Sequence, residues 1–527
     1  MPFHFKALII VMILTPIMFV LAKPLFTKFM SESDFAVRRN LWIALTLAAF
    51  LIPEFWPYTA VAALLIAYGG RKDSNPAALY LFLLLAVPPI RVFLTGFGIV
   101  KYVIAVDHLR LLSLVLLLPA IPGLIAAQAA DREQGVRRRF IMADTLLVLF
   151  VIWQTLLLIP FQSATANMRH VVELCIDVLL PYFVVSRLCR TREAMIDAMA
   201  AFVLSLIVLV PLALSEFVRG WILYAGLEER WGTDPMLGYL MRGDYLRAQV
   251  TAGHSIVLGY AMAIALGFWL FLQSLVASRG WRWLALLTLL VGLVVTLARG
   301  PWLGALLVVL SFFALGPNGL SRSIKAIAAL VVVGGIVLAS PYADKVIAFL
   351  PFVGNLNEET IGYRQRLAEV TWLLVQQNPV LGTPYFSNYM EELRQGQGII
   401  DIVNTYAVIA LGYGLVGLGL FVGVFGLLAM KCIKAARRLL DVDPAFSMMG
   451  ASLVACILGN LLIIATASNY LSIPYLYFAL AGLTAAYLRL SETVVPSSQS
   501  LDSSNSPSGV HAWSRADARD SGHLASQ

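Results

Sequence analysis

The chain has 527 residues, 60% hydrophobic and 13% charged, with a formal net charge of +8 and a mean hydropathy of +0.83. A soluble domain carries about a quarter charged residues, so this composition, with its apolar residues in long runs, excludes a water-soluble globular enzyme and predicts a polytopic membrane protein. The positive charge sits in short loops between those runs, a positive-inside pattern, which excludes a groove for nucleic acid.

The predicted spans, about fourteen, are 7–22, 41–68, 79–94, 107–127, 141–161, 171–187, 195–217, 250–275, 283–299, 301–315, 324–340, 403–430, 448–467 and 471–490. The first, "ALIIVMILTPIMFVLA", is followed by Lys23 without a small-x-small cleavage site, so it reads as a retained helix. The basic loops are "GGRKD", "DREQGVRRR", "SRLCRTRE", "SRGWR", "SRSIK" and "KCIKAARR". With both termini cytoplasmic, all of these fall inside, but Lys23, Lys28, Arg38 and Arg39 fall outside. Pro53 and Pro57 offer the alternative that 41–68 is two short helices, which moves the N-terminus outside and the arginine pair inside. Cys175, Cys189, Cys432 and Cys456 lie in or beside apolar segments at spacings that give neither a disulfide framework nor a zinc site.

Two long connections, 218–249 and 341–402, fall outside, and loops of this length are usually functional or disordered. The second reads as a folded cap, because "RQRLAEVTWLLVQQNPVLG" has apolar residues at helical spacing and a Pro stop, giving an amphipathic helix over roughly 361–377. The expected architecture is all-α, about 12–14 transmembrane helices with a large periplasmic loop carrying short helices. It divides into N-terminal helices (1–240), core helices with the Arg299 hairpin (241–340), the large loop (341–402), C-terminal helices (403–490) and a Ser-rich disordered cytoplasmic tail (491–527).

"TLARGPWLGALL", Thr296 to Leu307, sets a charge between two apolar runs, which costs roughly 2.5–3.5 kcal/mol at mid-bilayer. With "SRGWR" inside, Arg299 reaches the outer end of its helix, Gly300 permits a tight turn, and Pro301 suits the first position of the next helix. Such a tip, with free N–H groups beside a guanidinium, is suited to a phosphate or pyrophosphate; the plain alternative is an arginine that snorkels to the interface. Elsewhere, Glu173 and Asp177 lie one turn apart in an apolar span, as functional carboxylates or as partners of Arg169 or His170. Asn460 and Asn469 read as interhelical hydrogen-bonders, and the glycines from 412 to 426 as close-packing positions.

The stretch "TLARGPWLGALLVVL" resembles a segment of the O-antigen ligase / O-antigen polymerase superfamily of bacterial envelope proteins. So do "RAQVTAGHSIVLGYAMAIALG" (247–267), "YRQRLAEVTWLLVQQNPVLGTPYFSNY" (363–389) and "DIVNTYAVIALGYGLVGLGLFVG" (401–423), in the family's order across about 245–425. The resemblance implies a metal-independent, cofactor-free membrane glycosyltransferase at the periplasmic face of the bacterial inner membrane. Its donor would be an undecaprenyl-pyrophosphate-linked glycan, and its partners the bilayer and a chain-length regulator and flippase of the same pathway. On the matching positions, Arg299 would grip the pyrophosphate and Arg364 complete the clamp, with Arg247, His254 and Tyr406 beside them. Ligase members carry a His-Asn pair where this chain has Val403-Asn404. Asn404 matches, and Asp401 is the nearest carboxylate for the acceptor-activating role, with Glu369 and His254 as alternatives. The missing histidine favours a polymerase of lipid-linked repeat units over a ligase that passes glycan to lipid A core or protein. A third reading is a lipid-linked oligosaccharide flippase. It predicts charges along a transmembrane cavity and repeated halves; the arginines gather at one face and no repeat is evident, which favours an enzyme.

Overall fold

The computed structural model describes residues 2–96, 102–133, 141–233, 235–317, 319–341, 358–394 and 400–494. The tail from 495 to 527 and the loop portions 342–357 and 395–399 lie outside the described residues. Among the described residues the chain is all-α apart from two short hairpins. Seven of its helices are long and apolar enough to cross a membrane, among the described residues. In chain order the first elements are α1 (Phe3–Phe26), α2 (Glu32–Leu51), α3 (Phe55–Lys72), α4 (Pro76–Leu83), the β1–β2 hairpin (Val92–Thr95, Tyr102–Val106), α5 (His108–Leu112) and α6 (Ile121–Glu133). Next come α7 (Met142–Leu158), α8 (Ala164–Leu174), α9 (Leu180–Leu188), α10 (Arg192–Arg219), α11 (Ala225–Trp231) and the β3–β4 hairpin (Met241–Arg242, Tyr245–Leu246). The last elements are α12 (Ser255–Leu272), α13 (Arg279–Val295), α14 (Arg299–Leu315), α15 (Gly319–Leu338), α16 (Glu358–Gln377), α17 (Thr405–Leu439), α18 (Pro444–Ile464) and α19 (Ile473–Val494).

Buried and half-buried ion pairs bring the helix ends beside several of the basic loops to one end of the bundle, the basic face. Arg38 near the start of α2 is fully buried, bonded to Asp73 after α3 at 2.7 Å and to Asp197 in the first turns of α10 at 2.5 Å. Asp144 at the start of α7 joins Arg187 of α9 at 3.3 Å and Arg489 of α19 at 2.7 Å. Arg192 of α10 meets Asp443, between α17 and α18, at 2.8 Å. Buried charge survives only when paired, so these pairs fix which helix ends lie together. They also decide the N-terminal half: 41–68 is divided between two helices, broken at 52–54, and Arg38 lies at the basic face. The N-terminus reaches the opposite end, where Arg230 donates to His4 at 2.7 Å and Phe3 packs on Trp221.

Two other apolar runs differ from the expected spans. Within 79–94, α4 stops at Leu83 and the chain turns through Pro88 and Pro89 into β1, because a Pro-Pro pair denies the helix its N–H donors. The 107–127 span is helical throughout but contains a π turn over Ser113–Leu117 ahead of Pro119. Glu173 and Asp177 pair with Arg110 of α5, at 3.0 and 2.8 Å, and Arg169 instead stacks on Tyr102. Asn460 accepts from the Tyr260 hydroxyl of α12 at 2.8 Å, an interhelical bond as expected.

α14 is held by reciprocal close approach to α18. A Cβ at Gly304 would fall 2.2 Å from Ile463, one at Gly459 2.4 Å from Val308, and one at Gly300 2.3 Å from Thr466. Small residues let the two backbones meet, and α12 closes the other side, with Gly259 against Pro301.

α17 has 35 residues, roughly 50 Å at 1.5 Å per residue, longer than a bilayer core. It is interrupted at Gly414, whose φ of 68° and ψ of −176° only glycine adopts readily. The first turns, before this break, join the cap over the loop face. There Leu367, Leu374 and Val375 of α16 bury against Met390, Leu393, Ile402, Ala410 and Leu411. The cap docks through the break itself: Leu415 N–H donates to Pro379 O at 2.7 Å and Thr383 N–H to Leu411 O at 2.6 Å. The helix expected over roughly 361–377 is α16, and the Asn-Pro-x-x-Gly turn after it makes this contact.

Candidate active site

The α13–α14 tip organises the loop face. α13 ends at Val295, Leu297 takes a left-handed φ of 45°, and Ala298 is the N-cap of α14 without a side-chain cap. Arg299 is therefore the first residue of α14, and Pro301 is the third, two positions further in than expected. Both still fall in the turn whose N–H groups have no helical acceptor. The backbone turns back three residues earlier than Gly300, at Leu297.

Three more arginines converge on the tip. In the β3–β4 hairpin, Arg242 pairs with Tyr245 across a Gly243–Asp244 turn, with φ of 57° at Gly243. Arg242 Nη1 donates to Leu297 O at 2.5 Å, and Arg247 Nε to Thr296 O at 3.4 Å. Ala248 N–H donates to Val295 O at 3.1 Å, so the hairpin is pinned to the tip by its backbone. Burial lowers the Arg242 guanidinium to about 10, with the positive charges of Arg299 and Arg364 adding to the fall. Burial and then Arg242 lower Arg247 to about 10. Arg242 and Arg247 stay charged near neutral pH, and with Arg299 and Arg364 beside them like charges are held together. A fold tolerates that arrangement where an anion is to be bound.

A deeper set lies beside them. His254 is the N-cap of α12, its Nδ1 accepting from Ile256 N–H at 3.1 Å. Burial, then Arg247, lowers it to about 4, so the ring is neutral. With Nδ1 as acceptor, the proton of the neutral ring sits on Nε2, and His254 offers a donor there rather than a base. Its ring lies 6.1 Å from that of Tyr470. Burial raises the Tyr470 phenol; Arg91 opposes the shift, and Glu228 and Asp401 add to it. Asp401 Oδ1 accepts from Ser468 at 2.7 Å, and its carbonyl accepts from the Tyr363 hydroxyl at 3.2 Å. Tyr363 adjoins Arg364, so α16 and the entry to α17 are joined at the site. Asn404 is the N-cap of α17, accepting from Tyr406 N–H at 2.9 Å and Ala407 N–H at 3.2 Å. Val403 lies beside it, with no titrating group.

The structure thus brings together Arg299, Arg364 and Arg247, with His254 and Asp401 near Tyr470. It turns Tyr406 away: its hydroxyl donates to Leu461 O on α18 at 2.7 Å, a strut between helices. Arg242, Tyr470 and Glu216 were missed in the sequence. For Arg242 a signal existed, the Gly-Asp hairpin turn between it and Arg247. Glu216, fully buried on α10, accepts from Leu223 N–H at 2.9 Å, Gln249 N–H at 3.0 Å and Val250 N–H at 2.9 Å. Those bonds hold the strand that carries Arg247, including Val250 at a strained φ of 40°. Glu216→Ala leaves three donors unpaired at about 1–3 kcal/mol each. A loss of about 3 kcal/mol or more is expected in thermal unfolding of the detergent-solubilised protein, and an unchanged midpoint would show that the strand is held by other contacts.

The fold and site define a polytopic helical membrane protein with a cationic cluster under an extramembrane cap. Residues 284–422 match the family model described as O-Antigen ligase, which supports the resemblance to the O-antigen ligase/polymerase superfamily. The match takes in Arg299, Arg364, Asp401 and Asn404, while Arg242, Arg247 and His254 precede it. No individual curated protein matches the chain.

Proposed function

We propose that the chain polymerises lipid-linked oligosaccharide repeat units at the periplasmic face of the inner membrane, drawing on a glycan carried by undecaprenyl pyrophosphate. The observation that carries this reading is the cluster of Arg242, Arg247, Arg299 and Arg364 around the α14 N-terminus, at the face opposite the basic loops. An acceptor hydroxyl oxygen bonds to the anomeric carbon as the bond from that carbon to the pyrophosphate oxygen breaks. The bonding pair leaves with the pyrophosphate, where negative charge grows. Guanidiniums fixed in place beforehand stabilise that charge without reorganising. The Asp401 carboxylate, one oxygen held by Ser468, takes the hydroxyl proton, and His254 Nε2–H orients a sugar oxygen.

The family description favours a second reading, ligase transfer of a finished glycan to lipid A core or protein. Val403, in the place of the ligase histidine, favours the polymerase. Lipid-linked glycans extracted from cells lacking the protein separate the two. Single repeat units on the carrier are expected for a polymerase. Long chains stranded on the carrier would instead identify a ligase, and an unaltered pool would refute both.

A further inference from the structure

A cavity of about 650 Å³ lies away from the arginine cluster, a wedge between α6 and the α8–α9 helix. Leu118, Ile121 and Ile125 form one wall and Val172, Ile176 and Leu180 the other. The same device bends both walls: a π turn followed within a few residues by proline, Ser113–Leu117 before Pro119 and Cys175–Leu179 before Pro181. Ile125 is 63% exposed, so this wall opens sideways toward hydrocarbon.

The wedge is polar at one end only. Arg187, Arg190 and Arg489 line it there, at the basic face. Arg187 and Arg489 share the fully buried Asp144, and Arg190 stands 3.7 Å from Asp131. Among the described residues, three guanidiniums meet two carboxylates at this end. Arg187 and Arg190 side chains are 26% and 28% exposed, so each retains an accessible edge. An apolar slot at bilayer depth with cations at its headgroup end matches one kind of ligand.

We propose that this wedge binds an anionic phospholipid from the leaflet at the basic face, its phosphate on Arg187 and Arg190 and its acyl chains between α6 and α9. The inference does not depend on the catalytic reading, because the arginines of the transfer site lie at the opposite face. A donor lipid whose pyrophosphate sits there would place its headgroup in the other leaflet.

The test uses the full chain, delipidated in detergent, with dioleoylphosphatidylglycerol and dioleoylphosphatidylcholine as probes. Phosphatidylglycerol should raise the unfolding midpoint by roughly 2 °C or more above phosphatidylcholine. A phosphatidylglycerol with an acyl-chain diazirine should cross-link to peptides spanning 118–128 and 171–184. The double variant Arg187→Gln, Arg190→Gln should abolish both the preference and the cross-links, since Asp144 keeps Arg489 at 2.7 Å. Equal stabilisation by the two lipids, cross-links elsewhere, or cross-links unchanged in the double variant would overturn the proposal. So would displacement of the probe by undecaprenyl phosphate but not by unlabelled phosphatidylglycerol, which would make the wedge a seat for the carrier chain.

Discussion

Replacing Arg299 by alanine should reduce glycan transfer by on the order of 10²–10³, the cost of removing one preorganised donor from a developing oxyanion. Arg299 is the cluster member on the most rigid support: it opens α14, whose Gly300 and Gly304 lie against Thr466 and Ile463. Its guanidinium therefore meets a ligand with little freedom to lose. Lysine keeps the charge but not the planar fork that grips two phosphate oxygens, so Arg299→Lys should recover only part of the rate. Arg364→Ala should fall between, because Arg364 is exposed on α16 and its placement depends on the cap. Arg366, two positions along and also exposed, supplies the control; alanine there should leave transfer within about threefold, as at an ordinary surface site. The measurement is polymer length distribution in cells alongside the amount of protein in the membrane fraction. Full-length polymer from Arg299→Ala at normal protein level would remove the cluster from the mechanism.

Arg299 could be read from the sequence because its signal is local: a charge, a glycine and a proline between two apolar runs. Arg364 and the α16 helix were legible for the same reason, through helical periodicity and a Pro stop. Arg242 was not, because what matters is its contact with Leu297, which arises only when a two-residue hairpin folds onto the α13–α14 tip. The N-terminal orientation was open because it rests on Arg38 meeting Asp197, 159 residues away, and hydropathy carries no record of such a pair. The run 79–94 misled for the opposite reason. Its composition suits a span, yet Pro88 and Pro89 outweigh hydrophobicity where backbone donors are needed. Tyr406 shows a further limit. Its place beside Asn404 suggested a shared site, but successive residues on a helix face different neighbours, and its hydroxyl reaches α18.

The second large effect is expected at Gly414, which touches no candidate catalytic group. A Cβ there would stand 2.0 Å from Val380 O and 2.4 Å from the Val380 carbonyl carbon, both backbone atoms that have no side-chain freedom to move aside. The φ of 68° with ψ of −176° adds conformational strain for any other residue. Gly414→Val must therefore either straighten α17 or expel the 378–382 turn. Either movement breaks the bonds from Leu415 N–H to Pro379 O and from Thr383 N–H to Leu411 O. The cap would then lose its hold on the bundle, and with it the position of α16 and Arg364. A misplacement of about 1 Å costs on the order of 10² in rate, so transfer should drop at least that far. Because most of α17, Leu415–Leu439, follows the break, the bundle should persist. Limited proteolysis should cut the variant between 378 and 394 while leaving α17–α19 protected. Gly382→Val, at a φ of 73° and 2.4 Å from Gly414 N, should reproduce the defect from the other side of the contact. Gly419→Ala, where a Cβ meets nothing within 4 Å, should not. Wild-type polymer and a protease-resistant cap in Gly414→Val would show that the cap positions Arg364 without this seat.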